Sequence, residues 1–120
     1  MSVRILYVED DPINAFVLEK LLQRHYDFKH TEDGEKAVDY LKANEVEVVL
    51  MDSNLGGGKM DGIETMKYLR NNLKLTIPIF AVTSYALPED EAMFLREGFN
   101  DFIAKPIDKE ILIGKIQKVI

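Results

Sequence analysis

The sequence has no cysteine and no tryptophan, two histidines (His25 and His30), and fewer basic than acidic residues, 15 Lys+Arg against 21 Asp+Glu. Without cysteine there is no disulfide scaffold, no thiolate zinc site and no thiol chemistry. Two histidines leave little for an imidazole-based metal site, and both read as surface residues. A formal net charge of −6 offers no basic face to nucleic acid or to an anionic membrane. The longest apolar stretches fall far short of the roughly 20 residues of a membrane span, and no signal peptide is expected from the start Met-Ser-Val-Arg. The chain is therefore expected to be a soluble, acidic, cytoplasmic protein. Its 120 residues suit a single domain over 1–120, large enough to bury roughly two thirds of its unfolded surface.

What is present is an alternation of two patterns. Val3 to Val8 is a short apolar run that stops at Glu9-Asp10-Asp11-Pro12, where Asp11 and Pro12 read as an N-cap and a first-turn proline. Ile13, Phe16, Val17, Leu21 and Leu22 then recur at helical spacing, with the helix ending near Tyr26. Tyr26 to Thr31 alternates weakly, as an exposed strand would. Asp33-Gly34 starts a second helix carrying Ala37, Val38 and Leu41. Val46 to Met51 is a β-branched run that stops at Asp52.

A glycine-rich loop, Leu55 to Met60, leads to Asp61-Gly62 and a helix with Ile63, Met66 and Leu69. Ile77 to Val82 reads as the fourth strand, closed by Thr83-Ser84. Pro88 opens a helix with Ala92, Met93 and Leu95, and Gly98 stands where a terminating glycine belongs. Asp101 to Ala104 is a fifth strand, followed by Lys105-Pro106. Asp108 caps a last helix with Ile111, Leu112, Ile116 and Val119. The Met and aromatic positions within these helices read as core stripes. Strand then helix, five times over, predicts an α/β fold with a parallel sheet covered on both faces.

In such a sheet the ligand site lies beyond the carboxyl ends of the strands. Those ends carry Glu9 and Asp10, then Asp52, then Thr83, then Lys105, with Thr31-Glu32-Asp33 at the margin. Two carboxylates about 4 Å apart repel by roughly 4 kcal/mol at an effective dielectric near 20. Either one of them is protonated or a cation offsets the charge. An all-oxygen donor set favours Mg²⁺, which leaves a coordination position for a phosphoryl oxygen. Thr83 and Lys105 supply a hydroxyl and an ammonium for the other oxygens. Asp52, at the end of the central strand, is the candidate nucleophile. Asn54 is an amide where a second acid would suit a hydrolytic phosphotransferase, so an acyl phosphate on Asp52 is expected to turn over slowly.

These residues resemble the receiver domains of two-component response regulators, of the CheY-like chemotaxis-regulator type. The resemblance covers essentially the whole chain. It rests on Ile5 to Pro12, Val49 to Asn54, Asp61 to Glu64, Ala81 to Ser84 and Lys105-Pro106, in that order. It implies a doubly wound (βα)5 flavodoxin-like fold with strand order 2-1-3-4-5. It implies that Asp52 accepts a phosphoryl group from the phosphohistidine of a sensor histidine kinase or phosphotransfer protein, in phosphorelay signalling. Asp10, Asp52 and the Asn54 backbone carbonyl would ligate Mg²⁺ directly, with Glu9 acting through water. Thr83 and Lys105 would contact the phosphoryl group, the Lys105-Pro106 bond would be cis, and Phe102 would be the aromatic switch. Dimerisation through the face of the fourth helix, fifth strand and fifth helix is compatible with the resemblance. Two departures stand out: Gly56 occupies a position that is commonly proline, and the loop containing Gly56-Gly57-Gly58-Lys59 is about two residues longer than is common.

Bland readings compete at single positions. Asp11 is a cap only, and the triple glycine is no P-loop, because no Gly-Lys-Ser/Thr follows. Lys59 reads as solvent-facing. Tyr85 either shields the site or caps its loop. Two rival functions remain: an Mg²⁺-dependent phosphatase using Asp52, and an interaction module that keeps the shape without phosphorylation. The expectation is a signalling phosphoacceptor and not a turnover enzyme. It stands alone or forms part of a longer chain such as a hybrid kinase.

Overall fold

Short aliphatic runs become strands, and the segments capped by aspartate become helices. The computed structural model describes residues 2–55, 60–85 and 87–120. Strands β1 (Arg4–Val8), β2 (Asp27–Thr31), β3 (Val48–Asp52), β4 (Ile79–Thr83) and β5 (Asp101–Ala104) alternate with helices α1 (Pro12–Leu22), α2 (Gly34–Ala43), α3 (Gly62–Asn71), α4 (Pro88–Glu97) and α5 (Lys109–Gln117). Every strand pair is parallel, in the order β2-β1-β3-β4-β5. This is the doubly wound flavodoxin-like fold that the sequence pattern and its resemblance called for. The expectations placed on Gly56, Gly57, Gly58 and Lys59 lie outside the described residues.

The two-residue period of the strands sorts the core into two halves. Leu6, Val8, Val49, Met51, Ile79 and Ala81 face Ala37, Val38 and Leu41 of α2, Met66 and Leu69 of α3, and Phe94 of α4. The alternate residues Ile5, Tyr7, Val48, Leu50, Phe80, Val82 and Ile103 face Leu18 and Leu22 of α1 and Leu112 and Ile116 of α5. β1, β3 and β4 are covered on both faces. β2 is an edge, and its lysine and histidine stay exposed.

The helix starts are written locally. Asp11, Asp33, Asp61 and Asp108 each accept backbone N–H bonds from the first turn, and Asp61 forms a reciprocal capping box with Glu64. Gly98 closes α4 at φ 127°, a conformation that side-chain-bearing residues rarely adopt.

Helix faces depart from the expected stripes. In α1 the sheet is met by Ala15, Leu18 and Leu22, whereas Ile13, Phe16 and Val17 point outward and are more than half exposed. The helix is apolar nearly all round, so periodicity alone does not select its inner face. In α4 the buried residue is Phe94, while Leu95 and Ala92 are exposed. Ile111 and Val119 also stay at the surface, leaving Leu112 and Ile116 to pack. Helix α1 ends at Leu22, ahead of Tyr26. The third and fourth strands begin at Val48 and Ile79, two residues later than the apolar runs, because the ladder to neighbouring strands starts there.

Candidate functional site

Glu9, Asp52, Thr83 and Lys105 sit at strand ends whose backbone is still pinned to a neighbour. Glu9 N–H donates to the Thr31 carbonyl at 3.0 Å, just past β1. Asp52 ends β3, and the next amide, Ser53, donates to the Val82 carbonyl at 3.0 Å. Lys105 N–H, just past β5, donates to the Thr83 carbonyl at 2.8 Å. The parallel register therefore brings the ends of β1, β3, β4 and β5 to one edge.

There Glu9, Asp10 and Asp52 each offer a carboxylate oxygen, and among the described residues these three atoms lie within 4.8 Å of one another. Glu9 is 1% exposed and Asp52 3%, while Asp10 is exposed. Lys105 Nζ lies 3.5 Å from Asp52 Oδ2 and 3.3 Å from Glu9 Oε1. Among the described residues, Lys105 pairs with both Glu9 and Asp52, so two buried carboxylates share one ammonium. Burial pushes the Glu9 carboxyl above its usual range, and the hydrogen bond and charge of Asp52 add to this against the opposing pull of Lys105 and Tyr7. An all-oxygen, electron-rich centre open to solvent fits a hard divalent cation such as Mg²⁺.

The remaining candidates are distributed around this centre. The cleft, of about 320 Å³, is also lined by Asn14, Ser53, Asn54, Ser84 and Tyr85. Asn54 N–H donates to Asp52 Oδ1 at 3.1 Å and so orients that carboxylate. Thr83 is buried and does not line the cleft, and its Oγ1 accepts the Tyr85 N–H at 2.9 Å. Its own hydroxyl proton remains able to donate elsewhere. Tyr85 is 65% exposed at the cleft rim. The Lys105-Pro106 peptide is cis. Asp11 acts as the α1 cap, and its side chain stands at the cleft margin.

Phe102 lies farther off, in β5 beside Ala81 of β4, half-buried against the α2–α4 half of the core. Lys115 of α5 holds it. Its Nζ donates to the Phe102 carbonyl at 2.8 Å, sits 4.3 Å from the ring centroid and reaches Asp101 Oδ1 at 3.0 Å.

Two site neighbours are absent from the sequence reading. Tyr7 O–H donates to Glu9 Oε1 at 2.9 Å within the buried interior. Burial, together with the charge and hydrogen bond of Glu9, raises the Tyr7 phenol well above its usual range, so it keeps its proton. His30 Nε2 lies 2.7 Å from the Glu9 carbonyl oxygen. The two-residue strand period did carry a signal for Tyr7, placing it on the same face as Glu9. His30 had none, since it depends on the β1–β2 register that aligns it with Tyr7.

The response regulator receiver domain family matches residues 5–117. An autoinducer 2 sensor kinase/phosphatase, LuxQ of Vibrio vulnificus, is 37% identical over 92% of this chain and 13% of its own length. The sensor histidine kinase RcsC of Salmonella typhimurium is 35% identical over 92% of this chain and 12% of its own. This chain thus spans about an eighth of the curated relatives it matches. Among solved structures, the receiver domain of sensor histidine kinase PA1611 from Pseudomonas aeruginosa, with a magnesium ion coordinated in its active-site cleft, is 32% identical. It superposes with TM-score 0.86 over 99% of this chain and 98% of its own. The chemotaxis protein CheY4 of Vibrio cholerae shares the fold at TM-score 0.88 and 24% identity, over the full length of both chains. On the family match and on these relatives, the chain belongs to the response regulator receiver domains of two-component signalling.

Proposed function

We propose that residues 1–120 form one receiver domain in which Asp52 is the phosphoacceptor of a phosphorelay, supplied by the phosphohistidine of a sensor kinase or phosphotransfer protein in the cytoplasm. The observation that carries this reading is Asp52 itself. It is a buried carboxylate at the end of the central strand, with Lys105 Nζ at 3.5 Å and two further carboxylates beside it. Lys105 offsets only part of this crowding of acids, and a bound cation would relieve the rest.

Asp10, Asp52 and the Asn54 carbonyl would hold Mg²⁺ directly, and Glu9 would do so through water. Bound there, the ion neutralises charge on the phosphoryl oxygens and orients them for in-line displacement. An Asp52 carboxylate oxygen forms the new O–P bond as the P–N bond of the donor breaks, and that electron pair returns to the imidazole. Lys105 then exchanges its contact with Asp52 Oδ2 for a phosphoryl oxygen, and Thr83 donates its hydroxyl proton to another. Inward motion of Thr83 draws Phe102 after it, which changes the α4–β5–α5 face presented to a downstream partner or a second receiver. Asn54 offers an amide and no carboxylate to activate water, so the group is held and not rapidly hydrolysed.

The test is intact-mass spectrometry after incubation with acetyl phosphate and Mg²⁺. One labile phosphoryl adduct is expected on the wild type, none on Asp52→Asn, and none on the wild type in excess chelator. A wild-type protein that is folded and stays unmodified would sink the reading.

A further inference from the structure

Tyr7 breaks the chemistry of its surroundings. On its face of the sheet, Ile5, Leu50, Val82 and Ile103 end in methyl groups, yet Tyr7 buries a phenol and is 1% exposed. A hydroxyl in such a place needs a partner, and that partner is Glu9 Oε1 at 2.9 Å. The ring packs in the core cluster with Leu18, Leu50 and Val82, and its centroid lies 6.2 Å from that of Phe28, so its path to the carboxylate is fixed by packing.

Among the described residues, Glu9 Oε1 has two donors, the Tyr7 hydroxyl and Lys105 Nζ at 3.3 Å. Its other oxygen faces the Asp11 amide at 3.5 Å. The two donors differ in freedom: Lys105 is partly exposed on a flexible stem, whereas Tyr7 is locked in the core. When Lys105 turns to a phosphoryl group, Oε1 of Glu9, a residue only 1% exposed, would otherwise lose its compensation.

We propose that Tyr7 is a positioning residue, which holds the Glu9 carboxylate in its site-facing orientation independently of Lys105. Lys105 is thereby released to serve the phosphoryl group while Glu9 stays aimed at the cation. The inference rests on the Mg²⁺ phosphoacceptor reading above.

The experiment is a double-mutant cycle in Mg²⁺ affinity, followed by amide chemical shifts at fixed pH, using wild type, Tyr7→Phe, Glu9→Ala and the double variant. Phenylalanine keeps the ring and its packing, and circular dichroism checks the folds. Tyr7→Phe is expected to weaken Mg²⁺ binding about 10-fold, as loss of an outer hydrogen bond to a ligand does. In the Glu9→Ala background the same change should cost nothing more. Equal affinities for wild type and Tyr7→Phe, or a loss that persists without Glu9, would overturn the proposal, since a merely structural tyrosine gives one or the other. A folded wild type that binds no Mg²⁺ would remove the underlying site reading as well.

Discussion

Gly62 lies against the backbone of Asp52. A Cβ built at Gly62 would fall 2.2 Å from the Asp52 carbonyl oxygen and 3.0 Å from Ser53 Cα. The first residue of α3 is therefore pressed onto the strand end that bears Asp52, and backbone cannot swing aside as a side-chain tip can. Gly62→Ala should destabilise the protein by about 1–3 kcal/mol, the usual range for overpacking, and should weaken Mg²⁺ binding by displacing Asp52. Gly114, in the middle of α5, has nothing within 4 Å of its added Cβ. Gly114→Ala should stabilise by up to about 1 kcal/mol through helix propensity. Opposite shifts in thermal midpoint are expected from the two substitutions, and equal shifts would contradict the contact.

The pH dependence follows from the raised Glu9 carboxyl. A carboxyl whose pKa rises on folding binds its proton more tightly in the native state. Its contribution is present below the unfolded value of about 4.3 and is lost as pH climbs through the folded value. Glu9→Gln remains neutral throughout. Without divalent metal, its thermal midpoint should exceed that of the wild type at pH 7, and the difference should shrink towards pH 4. For a chain of this size, about 1 kcal/mol corresponds to roughly 3–5 °C. A difference that does not vary with pH would show that Glu9 is not the group responsible.

Lys115 makes an ion pair with Asp101, a bond to the Phe102 carbonyl and a contact with the Phe102 ring. The ion pair is partly exposed and worth little by itself, and the ring contact adds about 0.5–1 kcal/mol. The part-buried bond to the Phe102 carbonyl adds about 1.5–3 kcal/mol, so Lys115→Met should cost about 2–4 kcal/mol in stability. A second effect should appear as faster averaging of the Phe102 ring signals in NMR. Unchanged ring dynamics would mean that packing against the core holds Phe102 without the lysine.

How much of this was legible in the chain differs by feature. The aspartate caps were, because a cap and the amides it satisfies lie within three residues of each other. So were Asp52, Thr83 and Lys105 as strand-end residues, since each follows an apolar run that a strand must bury. The inner faces of α1 and α4 were not legible. Phe16 is as apolar as Leu18, and only the position of the sheet decides that Phe16 faces outward. Strand starts moved from Val46 to Val48 and from Ile77 to Ile79 for the same reason: the ladder begins where a neighbour exists.

By itself the sequence determined the order of elements, the helix starts and the inventory of acid, hydroxyl and ammonium groups at strand ends, because these depend on local periodicity and short-range hydrogen bonds. Tertiary structure alone decided that Lys105 Nζ reaches Glu9 across 96 positions of chain, that His30 meets the Glu9 carbonyl, and that the Tyr7 hydroxyl meets its carboxylate. Those distances follow from parallel register and from side chains packed on one sheet face, and both exist only once strands distant in the chain have paired.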